Sequence, residues 1–172
     1  MAAVKKRSLI ARWLCLLVTA SCASGCGATP VKGDINRVVD DWHDAAAKAD
    51  AARYFGHMAP GSVFIGTDAT ERWTKSAFEA FARPYFAKGK AWTMLPQSRH
   101  VALSPDGGVA WFDEKLRHTK YGDVRGSGVL RRVGGAWRIV HYVLSFPVPN
   151  GVSKRVIALI REQDAKTAPA TK

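Results

Sequence analysis

The chain is poor in three things, and each shortage excludes something. Its cysteines stop at Cys26: Cys15, Cys22 and Cys26 are all it has, so the remainder of the 172 residues carries no thiol for an internal disulfide or a cysteine-based metal site. Past the N-terminal segment no apolar run approaches the roughly 18 uncharged residues of a membrane span, which excludes a polytopic membrane protein. Acids are scarce, 14 against 26 Lys plus Arg, for a net charge of +12. Sequence signatures are missing as well. There is no His-Glu-x-x-His, P-loop, Gly-x-Ser-x-Gly or Ser-x-x-Lys, and the Gly126-Ser127-Gly128 run lacks the strand–turn–helix setting of a phosphate loop. What is present, 47% apolar and 23% charged residues at this length, describes one globular domain.

The first 26 residues read as an export leader. Lys5, Lys6 and Arg7 precede a short apolar stretch from Leu9 to Ala20, interrupted by Arg12, and small residues follow. Ala23-Ser24-Gly25-Cys26 resembles a bacterial lipobox, with Cys26 as the expected lipidation site and Cys22 the alternative. The expected compartment is therefore the bacterial cell envelope, with the domain held at a membrane surface by a lipid on Cys26. Plain secretion is the alternative. In that setting the spread of basic residues suits anionic lipid or envelope polymers, or simple solvation, and no nucleic-acid partner is expected.

Residues 27–33 read as a linker, residues 34–150 as the folded domain, and residues 151–172 as a last helix with a frayed tail. Asp34 is placed to cap a helix whose apolar positions are Ile35, Val38, Val39 and Trp42. Asp50 restarts a shorter helix carrying Tyr54, Phe55 and Met58, and Pro60-Gly61 ends it. A strand over Ser62–Gly66, a polar loop, and a helix carrying Phe78 and Phe81 come next, with Pro84 set to kink that helix. From Trp92 the apolar period changes from helical to alternating. Four strands follow, broken at Ser104–Gly108, near Tyr121-Gly122 and at Gly134-Gly135. Helices first and long antiparallel strands afterwards is an α+β layout: a cone-shaped domain, N-terminal helices packed on a strongly curved, mostly antiparallel sheet.

Three phrases carry a resemblance: Phe64-Ile65-Gly66-Thr67-Asp68-Ala69-Thr70-Glu71-Arg72-Trp73, Val109-Ala110-Trp111-Phe112-Asp113-Glu114, and Gly134-Gly135-Ala136-Trp137-Arg138-Ile139-Val140-His141-Tyr142. The chain resembles the SnoaL-like branch of the nuclear transport factor 2-like superfamily over about residues 32 to 150. The resemblance implies the cone fold. It leaves function open, because the superfamily holds isomerases, cyclases, dehydratases and many binding domains. Some relatives carry a second histidine two positions after the one in the last strand; here that position is Val143.

Alternation puts Trp111 with Asp113 on one face of their strand and Phe112 with Glu114 on the other; it puts Trp137, His141 and Ser145 opposite Arg138, Tyr142 and Leu144. The resemblance implies that Trp111, Asp113, Tyr142 and Leu144 face the cone interior, although parity does not choose the inner face and a bulge would exchange the two. So placed, Asp113 is the candidate general base, with its carboxyl raised by apolar surroundings, and Tyr142 the donor to a developing oxyanion. A salt bridge to Arg125 or Lys115 is the other reading of Asp113. His43 is a second candidate base, or else a surface or hydrogen-bonded core histidine. Asp68 is either at the cone mouth or a cap paired with Glu71. Trp73, Trp92 and Trp111 are candidates to stack on a flat ligand, with Leu144 beside them, or else are core. No metal site is expected, because His100, His118 and His141 have no ligand-like spacing. If the outer sheet face carries Trp137 and His141, it is a candidate homodimer surface.

Two functions follow. One is a domain binding a small, largely apolar molecule in the cone. The other is a cofactor-independent acid–base enzyme of isomerase, cyclase or dehydratase type, with Asp113 as base.

Overall fold

The computed structural model describes residues 28–167, with side chains from residue 31. The expected leader, with Cys22 and Cys26, lies outside the described residues. Helix α1 spans Ala28–Ala47, so the helix starts ahead of Asp34 and takes in most of the segment read as a linker. Asp34 sits within its early turns and pairs with Arg37 rather than capping. Ile35, Val39, Trp42, Ala45 and Ala46 form its buried stripe at helical spacing. Asp50 caps α2 (Ala51–Gly56), accepting the Arg53 backbone N–H at 3.0 Å.

Strand β1 (Met58–Ile65) begins earlier than the sequence pattern suggests, and Pro60-Gly61 lies inside it, at an irregularity. A short strand that the polar loop concealed, β2 (Arg72–Thr74), pairs antiparallel with β1. Thr74 caps α3 (Lys75–Ala87), which contains Pro84. Then come β3 (Met94–Leu103), β4 (Val109–His118), β5 (Gly122–Val133) and β6 (Ala136–Ser145), a 3₁₀ turn (Asn150–Val152) and α4 (Ser153–Thr167). The six strands lie in the order β2-β1-β6-β5-β4-β3, all neighbours antiparallel except β1 and β6, which run parallel.

Helices α1 to α3 cover one face, and a single apolar core forms between them and the sheet. In β4 the buried set is Ala110, Phe112, Glu114 and Leu116, whereas Trp111, Asp113, Lys115 and Arg117 are exposed. Strand β6 is more complicated. Val129 opposes His141 but Leu130 opposes Ile139, so Val140 is an extra residue, a β-bulge. Strict alternation would separate Trp137 from Tyr142; the bulge brings Trp137, Ile139 and Tyr142 all to the buried side. Trp137 is therefore core and not part of the outer face, while His141 stays outside, half-buried.

Among the described residues no helix is long and apolar enough to cross a membrane.

Candidate functional site

A cavity of about 440 Å³ lies between the helices and the inner sheet face. This is within the size range of small-molecule sites. Its walls are aromatic. Phe64 stacks on Phe78 with ring centroids 4.0 Å apart, Trp73 stacks on Phe81 at 4.8 Å, and Trp92 stacks against Phe78 at 5.8 Å. The sequence placed these rings for a structural reason: β1 and β2 pair Phe64 with Trp73, and α3 lays Phe78 and Phe81 against that pair.

The floor is polar and buried. Trp42 and His43 come from α1, Tyr142 from β6, and Glu114 from β4 beneath them. Glu114 is 1% exposed and carries four contacts. Oε1 accepts from His43 Nε2 at 2.8 Å and from the Tyr142 hydroxyl at 3.1 Å. Oε2 accepts from Arg99 Nε at 2.9 Å, with Arg99 Nη2 2.8 Å away. Arg99 in turn reaches Asp40 through Nη1 at 2.8 Å, which ties β3 to α1. Burial on its own would raise the Glu114 carboxyl; the His43 hydrogen bond and the Arg99 charge outweigh it and hold the group below its ordinary value. Burial, then the adjacent Glu114 charge, pushes the Tyr142 phenol well above its ordinary value, so it stays a protonated donor.

Two glycines make this floor possible. Gly126 lies between Glu114 on β4 and Leu144 on β6, and a Cβ there would sit 2.8 Å from Glu114 Oε1 and overlap the Tyr142 hydroxyl. A Cβ on Gly128 would come within 2.7 Å of the Phe112 ring. Both positions are open so that neighbouring strands can lay large side chains across β5.

Because an ionised carboxylate only accepts, His43 Nε2 carries the proton toward Glu114. The second ring nitrogen, Nδ1, has no hydrogen-bond partner among the described residues. The floor is thus a histidine oriented by a carboxylate, an arrangement able to take a proton.

Several expected site residues meet here. His43, Trp73, Trp92, Tyr142 and Leu144 all line the cavity. Tyr142 does so with its single proton donated to Glu114, not free for an oxyanion. Asp113 and Trp111 do not: both lie on the outer face, and Trp111 is 48% exposed. Their placement inside the cone is corrected, because Ala110, Phe112 and Leu116 bury the other set of the alternation. Asp113 pairs across the ladder with His100 and Ser127. Asp68 is exposed and accepts from the Thr70 amide and hydroxyl, while Glu71 accepts the Asp68 N–H at 3.2 Å. That is the capping arrangement, with the carboxyl lowered by the Thr70 hydroxyl and outside the cavity wall. His100 and His141 are on the outer face and His118 is on the cavity side, so the three strand histidines do not converge.

Sequence reasoning missed Glu114 and Arg99. A signal for Glu114 existed: it shares parity with Ala110, Phe112 and Leu116, while the opposite set, Trp111, Asp113, Lys115 and Arg117, is mostly charged.

Helices over one face of such a sheet, with a cavity between them, define the nuclear transport factor 2-like fold. Within it, the SnoaL-like domain matches residues 35–149, and the chain belongs to that family. A nuclear transport factor 2-like protein of unknown function from Pseudomonas putida KT2440 superposes with a TM-score of 0.62 at 18% identity, covering 72% of this chain and 91% of that one. A candidate dehydratase of the same superfamily from Streptomyces avermitilis gives 0.59 at 12% identity, over 70% of this chain and 98% of that one. A candidate aromatic ring hydroxylase from Novosphingobium aromaticivorans gives 0.59 at 16% identity, over 70% and 91%. Identities this low speak for the fold alone. No curated protein matches the chain.

Proposed function

We propose that this protein binds a small, largely apolar, ring-bearing molecule in its cavity, as an exported domain held at the envelope surface through Cys26. The observation that carries the binding reading is the stack of Trp73, Phe78, Phe81 and Trp92 around an open volume. Aromatic walls with open space between them favour a flat partner through burial and ring stacking. The test is titration with N-phenyl-1-naphthylamine, a neutral apolar fluorophore. Saturable enhancement at one site per chain is expected, and Leu144→Trp, which fills the cavity, should abolish it. Enhancement that survives Leu144→Trp would sink the reading. For the anchor, labelled palmitate should enter the wild-type chain in a bacterial host and not Cys26→Ser; label lost only in Cys22→Ser would move the site.

A second reading rests on the His43–Glu114 pair at the floor. A histidine oriented by a buried carboxylate and bordering an apolar cavity suits proton abstraction from a bound molecule, with no cofactor required. Once a ligand is known, deuterium exchange from solvent into it should depend on His43 and be lost in His43→Gln with binding retained. Exchange that persists in that variant would remove His43 from the reaction.

A further inference from the structure

The rim of the cavity differs from its floor in one respect that the apolar reading leaves unused. The end of β4 and the turn to β5 contribute His118, Lys120 and Tyr121 to the wall. His118 Nδ1 accepts two backbone N–H groups, from Lys120 at 3.1 Å and Tyr121 at 3.2 Å. With both bonds on Nδ1, the ring proton must be on Nε2, which makes His118 a fixed neutral donor. Burial, then the Lys120 charge, lowers its tendency to protonate, in keeping with that tautomer. The ring is stacked on Tyr121 at 4.7 Å, so its orientation is held from a second side.

Lys120 lies 5.0 Å from the Tyr121 ring centroid and, among the described residues, has no carboxylate within ion-pair distance. This sets it apart from Lys48, Lys75, Lys115 and Lys166, each of which has an acidic partner. The cavity wall does hold one carboxylate, Glu71, but one of its oxygens already accepts the Asp68 N–H. The rim therefore offers an unpaired ammonium and an oriented N–H donor, on a domain that stays at +8 (12 − 4) without Lys5, Lys6, Arg7 and Arg12 of the expected leader and so draws anions toward it. Cations and donors at the end of an apolar slot suit an anionic oxygen group.

We infer that the ligand is amphipathic: a flat apolar body seated among the aromatic walls, with a carboxylate, sulfonate or similar oxyanion at one end held at the rim by Lys120 and the His118 Nε2–H. The inference rests on the cavity being a ligand site, and its test separates the two ideas.

Two probes share one skeleton. N-phenyl-1-naphthylamine is neutral; 8-anilinonaphthalene-1-sulfonate adds a sulfonate. With the full chain, the sulfonate should bind about tenfold more tightly than the neutral probe. Lys120→Met should remove most of that difference and leave the neutral probe within about twofold; Lys120→Glu should reverse it. His118→Phe should weaken the sulfonate alone, and retained far-ultraviolet circular dichroism checks that each variant is folded. Equal affinity for the two probes, unchanged in Lys120→Met, overturns the anionic end while the apolar site stands. Binding of neither probe overturns both.

Discussion

Helix α1 is fastened by two polar networks that use the same residue types in opposite surroundings. One is at the surface: Asp41 accepts from Arg53 at 2.8 Å and from His57 at 2.6 Å, and Asp44 accepts from Arg53 at 2.7 Å. The other is the buried set, in which Glu114 is surrounded by His43, Tyr142 and Arg99. Each joins α1 to later chain, the first to α2 and its C-cap, the second to the sheet. Water screens the first and competes for its partners, so the bonds are replaceable. Nothing replaces a partner lost from the second, and the remaining charge stays buried. Similar bond lengths therefore conceal very different consequences of removing one group.

The largest expected effect is at Glu114. Glu114→Ala strands Arg99 and should cost about 3–5 kcal/mol in urea unfolding. A loss no greater than at a surface site would mean that water reaches the floor. Next is Gly126→Ala, which sets a methyl against the Tyr142 hydroxyl and Glu114 and should cost roughly 1–3 kcal/mol. Tyr142→Phe in the same chain should recover part of that loss, since it removes the overlapping oxygen; strict additivity would show that the glycine serves another purpose.

Acid sharpens the contrast further. The folded Glu114 carboxyl is held below its ordinary value, so the wild type gains stability from it above the unfolded value, near pH 4.5, and loses that gain as pH falls through the lower folded value. The stability gap between wild type and Glu114→Gln should thus be wide at neutral pH and close as the pH falls below 4.5 and through the lower folded value. Asp41 is shifted downward too, chiefly by the His57 hydrogen bond, and its share should fade with added salt whereas that of Glu114 should not. Arg53→Ala, in the surface network, should lower the unfolding midpoint only slightly, and not at all in high salt.

The smallest effect on the cavity is expected from Asp113→Asn, which should leave binding of both naphthyl probes unchanged. Trp111 is exposed on that same outer face beside Val129 and His141, so the expectation of a homodimer surface there is tested at this residue. Trp111→Lys should shift any dimer seen in sedimentation to monomer with probe binding intact; a dimer that survives places the contact elsewhere.

Much of the fold was legible in the sequence, and the site less so. The four long strands announce themselves by alternation and by turn residues, and Asp50 caps a helix as its side chain suggests. β2 was hidden because three residues, Arg72–Thr74, give no period to read. The aromatic wall was half visible: Trp73 and Trp92 could be nominated singly, but their meeting with Phe64 and Phe78 depends on tertiary packing. The resemblance points to Asp113 over Glu114, and parity does not correct it, because it names two faces without saying which is covered. In β4 the apolar partners of Glu114 would have decided the matter. In β6 no pattern marks Val140 as the extra residue.

That bulge has a consequence for any chain that varies here. β6 runs in two phases, one before Val140 and one after it, and each phase buries a different parity: Trp137 and Ile139 in the first, Tyr142 in the second. Deleting Val140 would restore plain alternation, with Trp137, Ile139 and Tyr142 spaced two apart and still on one face. Deleting a residue of the strand while the bulge stays would instead invert one half relative to the other and turn an indole or the cavity's phenol out to solvent. The strand therefore accepts a change of length at residue 140 and nowhere else nearby, and a relative lacking the extra residue can keep the same floor.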